Sequence, residues 1–222
     1  MARHLGTLGL LLAGALLAAC SDGRRYDQAI GVLIDVSGTY ADERAETVRV
    51  IKREILPNLI PGDTLLVARI DSESYDRENV EALLTLDRRP SHANAQKLEV
   101  SRLLDEFAAR PLSSAHTDIP GAIMLASEYL GETEAGSRVL LIFSDMQEDL
   151  VPGSTRHFDA GELAGTHVVA MNVKRLERDQ ADPARFRGRL EGWGERVAAA
   201  GATEWRSFTD PTKLPEYLET VR

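Results

Sequence analysis

The chain has one cysteine in 222 residues, so neither a disulfide framework nor a cysteine-rich zinc site can be built. It has no excess of base: 26 Lys and Arg stand against 35 Asp and Glu, a net charge of −9. Phosphate binding needs clustered Lys and Arg, which excludes nucleic acid and anionic lipid as general partners. There is no glycine-rich phosphate loop, no Gly-x-Ser-x-Gly elbow and no His-Glu-x-x-His pair, so the common nucleotide, serine-hydrolase and zinc-protease chemistries have no motif to stand on. The long apolar run, Leu5 to Ala19 with only Thr7 as an exception, falls short of the roughly 20 residues that span a bilayer as a helix. Nothing repeats at a solenoid period, and no long Pro, Gly or Ser run marks a second domain. About 200 residues suffice to bury one core.

What is present begins at the amino terminus. Residues 1–19 carry Arg3, His4 and no acid around the apolar run, which is the profile of a signal peptide. Leu17-Ala18-Ala19-Cys20 resembles the lipobox of bacterial lipoproteins, where small residues precede a cysteine that takes a diacylglycerol on its thiol. The resemblance implies lipidation of Cys20, a cleaved leader over 1–19 and a lipidated tether over 20–27. It also implies a place in the cell envelope, facing the periplasm and attached to the membrane by lipid alone, with two or three acyl chains making the anchor stable. Ser21 after the cysteine, where no Asp stands, favours the outer membrane under the sorting rule of enteric bacteria. Loss of residues 1–19 removes Arg3 and no acid, so the remainder is one unit more negative.

Further on, short apolar runs rich in β-branched residues read as strands buried on both faces. They cover Ala29 to Ile34, Thr64 to Ile70, Arg138 to Phe143, His167 to Val173 and, more weakly, Thr203 to Phe208. Val80 to Leu86 reads as a further strand, antiparallel to its neighbour. Helical spacing is expected over Asp42–Leu56, Ala93–Ala109, Ile119–Leu130, Pro183–Ala200 and Pro211–Val221. Strands alternating with helices predict an α/β fold: a doubly wound, Rossmann-like, mostly parallel central sheet with helices on both faces, in one domain over 28–222. The first run should be a central strand, and ligands should bind at the carboxyl ends of the strands.

Three polar loops fall there. Asp35-Val36-Ser37-Gly38-Thr39 leaves the first strand, Thr117-Asp118 opens a helix, and Ser144-Asp145 leaves the run that ends at Phe143. Gly38 lets the backbone turn sharply. Together these loops resemble the von Willebrand factor A domain family, whose metal-ion-dependent adhesion site reads Asp-x-Ser-x-Ser or Thr, then a distant Thr, then a distant Asp. Asp35, Ser37 and Thr39 fall on the first part, Thr117 on the second and Asp145 on the third, and the likeness runs over about Gln28 to Val221. The resemblance implies Mg²⁺, or Mn²⁺ or Ca²⁺, held by these five residues. It implies that Thr117 ligates directly or through water, and that one position stays open for an acidic residue of an envelope protein. Where the family often has glycine after the last aspartate, this chain has Met146, which alters the rim. The residue types suit the ion: Mg²⁺ prefers hard oxygen ligands in octahedral geometry, hydroxyls coordinate without adding charge, and a 2+ charge offsets repulsion between Asp35 and Asp145.

Plainer readings stand beside this one. Asp, Ser and Thr are common helix caps, so any one of the five has an ordinary structural explanation. His116 reads as a loop residue, Asp71 and Glu73 as solvated acids, Glu148-Asp149 as surface, and Trp193 and Trp205 as packing. A rival function is a phosphohydrolase of the haloacid dehalogenase type, since Leu33 to Tyr40 also resembles Asp-x-Asp-Gly-Thr, with Asp35 as nucleophile and Ser144 imitating the second motif. That chemistry needs an acid two residues on as proton shuttle, and Ser37 stands there; the Lys174 region offers only a loose match to its lysine. A lipoprotein with an empty site is the third class. The expectation is a binding module without catalytic residues.

Overall fold

The computed structural model describes residues 25–38, 40–176, 179–180 and 182–222. Residues 1–19, Cys20, the first half of the tether and Thr39 lie outside the described residues.

Six strands form one sheet: β1 Gln28–Asp35, β2 Thr64–Ile70, β3 Val80–Thr85, β4 Ser137–Phe143, β5 Thr166–Met171 and β6 Glu204–Phe208. Their order is β3-β2-β1-β4-β5-β6; β1 is central, β3 is antiparallel to β2 and the other pairs are parallel, in line with the expected central first strand and mostly parallel sheet. The helices are α1 Arg44–Val50, α2 Pro90–Ala109, α3 Ile119–Gly131, α4 Pro183–Ala199 and α5 Leu214–Thr220.

Strand periodicity explains the two layers. In β1 every residue is buried, because alternate side chains feed opposite cores. Ile30, Val32 and Ile34 join Leu65, Val67, Val139 and Leu141 beneath α1, α2 and α5, which contribute Val48, Leu104, Phe107 and Leu218. Leu33 joins Leu66, Leu140, Ile142 and Val168 on the other face, covered by Ile123 and Ala126 of α3 and Trp193 and Val197 of α4. Each such aliphatic side chain contributes about 1.5–3 kcal/mol when fully buried. At Gly31 a Cβ would come within 2.9 Å of Leu140 Cδ1 and 3.2 Å of Leu130 Cδ1, so glycine is what lets α3 lie this close to the sheet.

The single helix expected over Asp42–Leu56 is corrected to four pieces. A 3₁₀ turn Ala41–Glu43 leads into α1, a wider π-helical turn covers Ile51–Ile55, and a 3₁₀ turn Leu56–Asn58 follows, where Pro57 has no N–H to continue the helix. At the amino edge of the sheet the buried Asp63 carboxylate accepts from Gln28 N at 2.8 Å, Ile60 N at 2.8 Å and both Arg222 Nη atoms at 2.7 and 2.9 Å. No helix among the described residues is long and apolar enough to cross a membrane.

Candidate metal centre

The site lies at the carboxyl edge of the sheet, where β1 and β4 end side by side. Their register pairs Ile34 with Phe143, which brings Asp35 and Ser144 together. Ser144 Oγ donates to Asp35 Oδ2 at 2.6 Å, and Ser37 N donates to Asp35 Oδ1 at 2.8 Å. Asp35 is 0% exposed, and burial pushes its carboxyl above the ordinary range; hydrogen bonds from Ser144 and Ser37 oppose that rise, and the negative charge of Asp145 adds to it.

Asp145, 1% exposed, accepts at Oδ1 from Gln147 N at 2.7 Å. Its other oxygen, Oδ2, is buried with no hydrogen-bond partner among the described residues. Buried polar atoms are normally paired, so a carboxylate oxygen left bare beside a second buried carboxylate fits a cation-binding donor set. Among the described residues no three His, Cys, Asp or Glu side chains cluster as a metal site, so a cation between the two carboxylates would need hydroxyl ligands as well.

Thr117 is buried, and its loop is stitched to both aspartate loops through the backbone. Ser114 N donates to Val36 O at 3.1 Å, one residue past Asp35. Thr117 N donates to Asp149 O at 2.7 Å and accepts at its own carbonyl from Asp149 N at 3.1 Å, four residues past Asp145. Asp35, Ser37 and Asp145 are thus brought together, with Thr117 held between their loops.

Met146 adopts φ 61°, the left-handed region that glycine favours, yet its side chain is buried in the core under α4. Its carbonyl accepts from Trp193 Nε1 at 2.9 Å, so Trp193 both packs and fixes the rim. Asp118 is also structural: it caps α3 by accepting from Gly121 N at 2.8 Å, and its Oδ2 accepts from Ser74 N at 3.1 Å and Arg156 Nε at 3.2 Å. His116 Nδ1 lies 3.0 Å from Asp149 Oδ2. Glu148 pairs with Arg196, while Asp71 sits partly buried, its carboxyl lowered against burial by hydrogen bonds from Ser72 N, Ser114 and Arg69. The sequence marks Ser144 as a loop residue and as a match to the second motif of the rival hydrolase; its bond to Asp35 arises from strand register, which leaves no local signal.

A larger groove of about 760 Å³ opens at the opposite edge, where Arg88 pairs with Asp27 and Arg25 with Glu134. It holds none of the candidate ligands.

No family profile matches the sequence, and no curated protein matches it. Solved structures do. BatB from Bacteroides thetaiotaomicron aligns with a TM-score of 0.51 at 14% identity, over 87% of this chain and 96% of that one. The D319A mutant of the PilB minor pilin from Streptococcus sanguinis aligns at 0.51 and 10% identity, over 91% and 62%. The pilus adhesin SpaC from Lactobacillus rhamnosus GG aligns at 0.52 and 10%, over 87% of this chain and 29% of that one, so this chain spans under a third of SpaC. At such identities the likeness concerns the fold alone, a single α/β domain around a mostly parallel six-stranded sheet.

Proposed function

We propose that this chain is a divalent-cation-dependent protein-binding module held at the cell envelope, on its periplasmic side, by lipid on Cys20. The observation that carries the cation is Asp145 Oδ2, buried and unpartnered among the described residues, near a second buried carboxylate. Asp35, Ser37, Thr39, Thr117 and Asp145 would hold Mg²⁺, or Mn²⁺ or Ca²⁺, through oxygen alone. When bound, the ion supplies positive charge that two carboxylates and neutral hydroxyls leave open to a partner's carboxylate. The fold supports the reading to the extent that a pilus adhesin shares it. Asp35 as a nucleophile gains less support, since the carboxylate is fully buried and both its oxygens already accept hydrogen bonds.

Capture from envelope extract, in Mg²⁺ and in chelator, tests the reading. A partner should be retained in Mg²⁺ and lost both in chelator and with Asp145→Ala; retention in all three conditions overturns it. Turnover of phosphate esters that requires Asp35 would transfer the case to the hydrolase. For the anchor, Cys20→Ser should abolish lipid labelling and release or stall the protein.

A further inference from the structure

The domain is acidic overall, but its sign reverses next to the candidate metal centre. Among the described residues of 174–189, five basic side chains stand against two acidic ones, within a chain of net charge −9. A cleft of about 310 Å³ lies there, lined by Met146, Gln147, Glu148 and Asp179 together with Arg185, Arg189 and Trp193 of α4; its two acids are already paired, Glu148 with Arg196 and Asp179 with Arg189. Met146 and Gln147 directly follow Asp145, so the cleft opens beside the proposed cation.

The two arginines differ in what holds them. Arg189, whose side chain is 10% exposed, is locked by Asp179 at 2.7 and 3.2 Å, and its Nε is buried with no hydrogen-bond partner among the described residues. Arg185, whose side chain is 62% exposed, pairs among the described residues with Asp182, itself 52% exposed, at 3.5 Å. An exposed pair of that kind contributes little, so Arg185 can exchange it for another carboxylate at slight cost. One turn separates the two arginines along α4, which sets both at the same cleft.

We propose that this cleft takes a second carboxylate of the partner, with Arg185 as its counter-charge, so that the ligand is an acidic stretch rather than one acidic residue. The proposal rests on the metal reading above and names the ligand class for it. The ion holds one carboxylate, and Arg185 selects what lies next to it. Charges aligned in this way also favour encounter with an acidic segment despite the acidic remainder of the surface.

Two labelled twelve-residue peptides, one alternating Glu with Gly and one with a single Glu among Gly and Ser, would be titrated against the detergent-solubilised full chain in Mg²⁺ and in chelator. In Mg²⁺ the multi-Glu peptide should bind about tenfold more tightly than the single-Glu peptide. Arg185→Glu should erase that preference, and a peptide in which Lys replaces all but one Glu should then bind this variant better than the multi-Glu peptide does. Equal binding of both peptides to the wild type, or a preference that survives Arg185→Glu, overturns the cleft while metal-dependent binding still stands. Binding that ignores chelator overturns the metal reading itself.

Discussion

Trp193 reaches from α4 to hold the carbonyl of Met146 at 2.9 Å, fixing a residue that stands in the left-handed region immediately after Asp145. A non-glycine residue pays strain there, and the buried thioether and the indole hydrogen bond together over-determine it. Trp193→Phe keeps an aromatic ring but leaves a buried carbonyl unpaired, a loss of about 1–3 kcal/mol. Chemical denaturation should show that loss, and the Mg²⁺-dependent rise in melting temperature should shrink because the rim beside Asp145 is no longer fixed.

Cation binding itself should raise the melting temperature, by an amount equivalent to about 2.7 kcal/mol at a hundredfold excess over Kd. Thr117→Val should remove most of that rise while leaving the metal-free domain within about 1 kcal/mol of wild type. The variant keeps both backbone bonds to Asp149 and loses only a hydroxyl. A full rise in Thr117→Val would exclude Thr117 from the site.

For Asp35 the folded-state pKa is raised, so proton binding favours the folded chain and ionised Asp35 costs stability. In chelator at pH 7, Asp35→Asn should therefore stabilise the domain. The gain should fall as pH drops through the raised folded value and vanish below the ordinary 3.8, where the carboxyl is neutral in both states. In Mg²⁺ at pH 7 the order reverses if Asp35 is a ligand. Melts across pH, with and without Mg²⁺, check both signs.

Asp63→Ala removes the partner of a largely buried Arg222 and the acceptor for two backbone amides. Breaking one half of such a pair costs about 3–5 kcal/mol. Urea titration should show this loss in chelator and in Mg²⁺ alike, because the pair lies at the edge away from the candidate ligands.

Much of the fold was legible because its central strands are apolar on both faces: Thr64 to Ile70 can be read off to the residue, while the strand expected over Val80 to Leu86 keeps its antiparallel sense and ends at Thr85. Hydrogen-bond detail within a helix was not. The π-helical turn at Ile51–Ile55 keeps the same apolar spacing as an ordinary helix, so periodicity cannot reveal it. At the site, spacing nominated Asp35 and Asp145, but the bond from Ser144 to Asp35 depends on how β1 and β4 align, and the second bond to Asp118, from Ser74 N, on a distant loop. Such cross-loop contacts have no local trace in a single chain.

Both ends of the described chain meet at one edge of the sheet, where Arg222 bonds to Tyr26 O at 3.0 Å and to Asp63. A mechanical pull applied between those ends would load that clamp first. The force would travel through Gln28 and α5, by-passing the loops of Asp35 and Asp145 until the clamp opened.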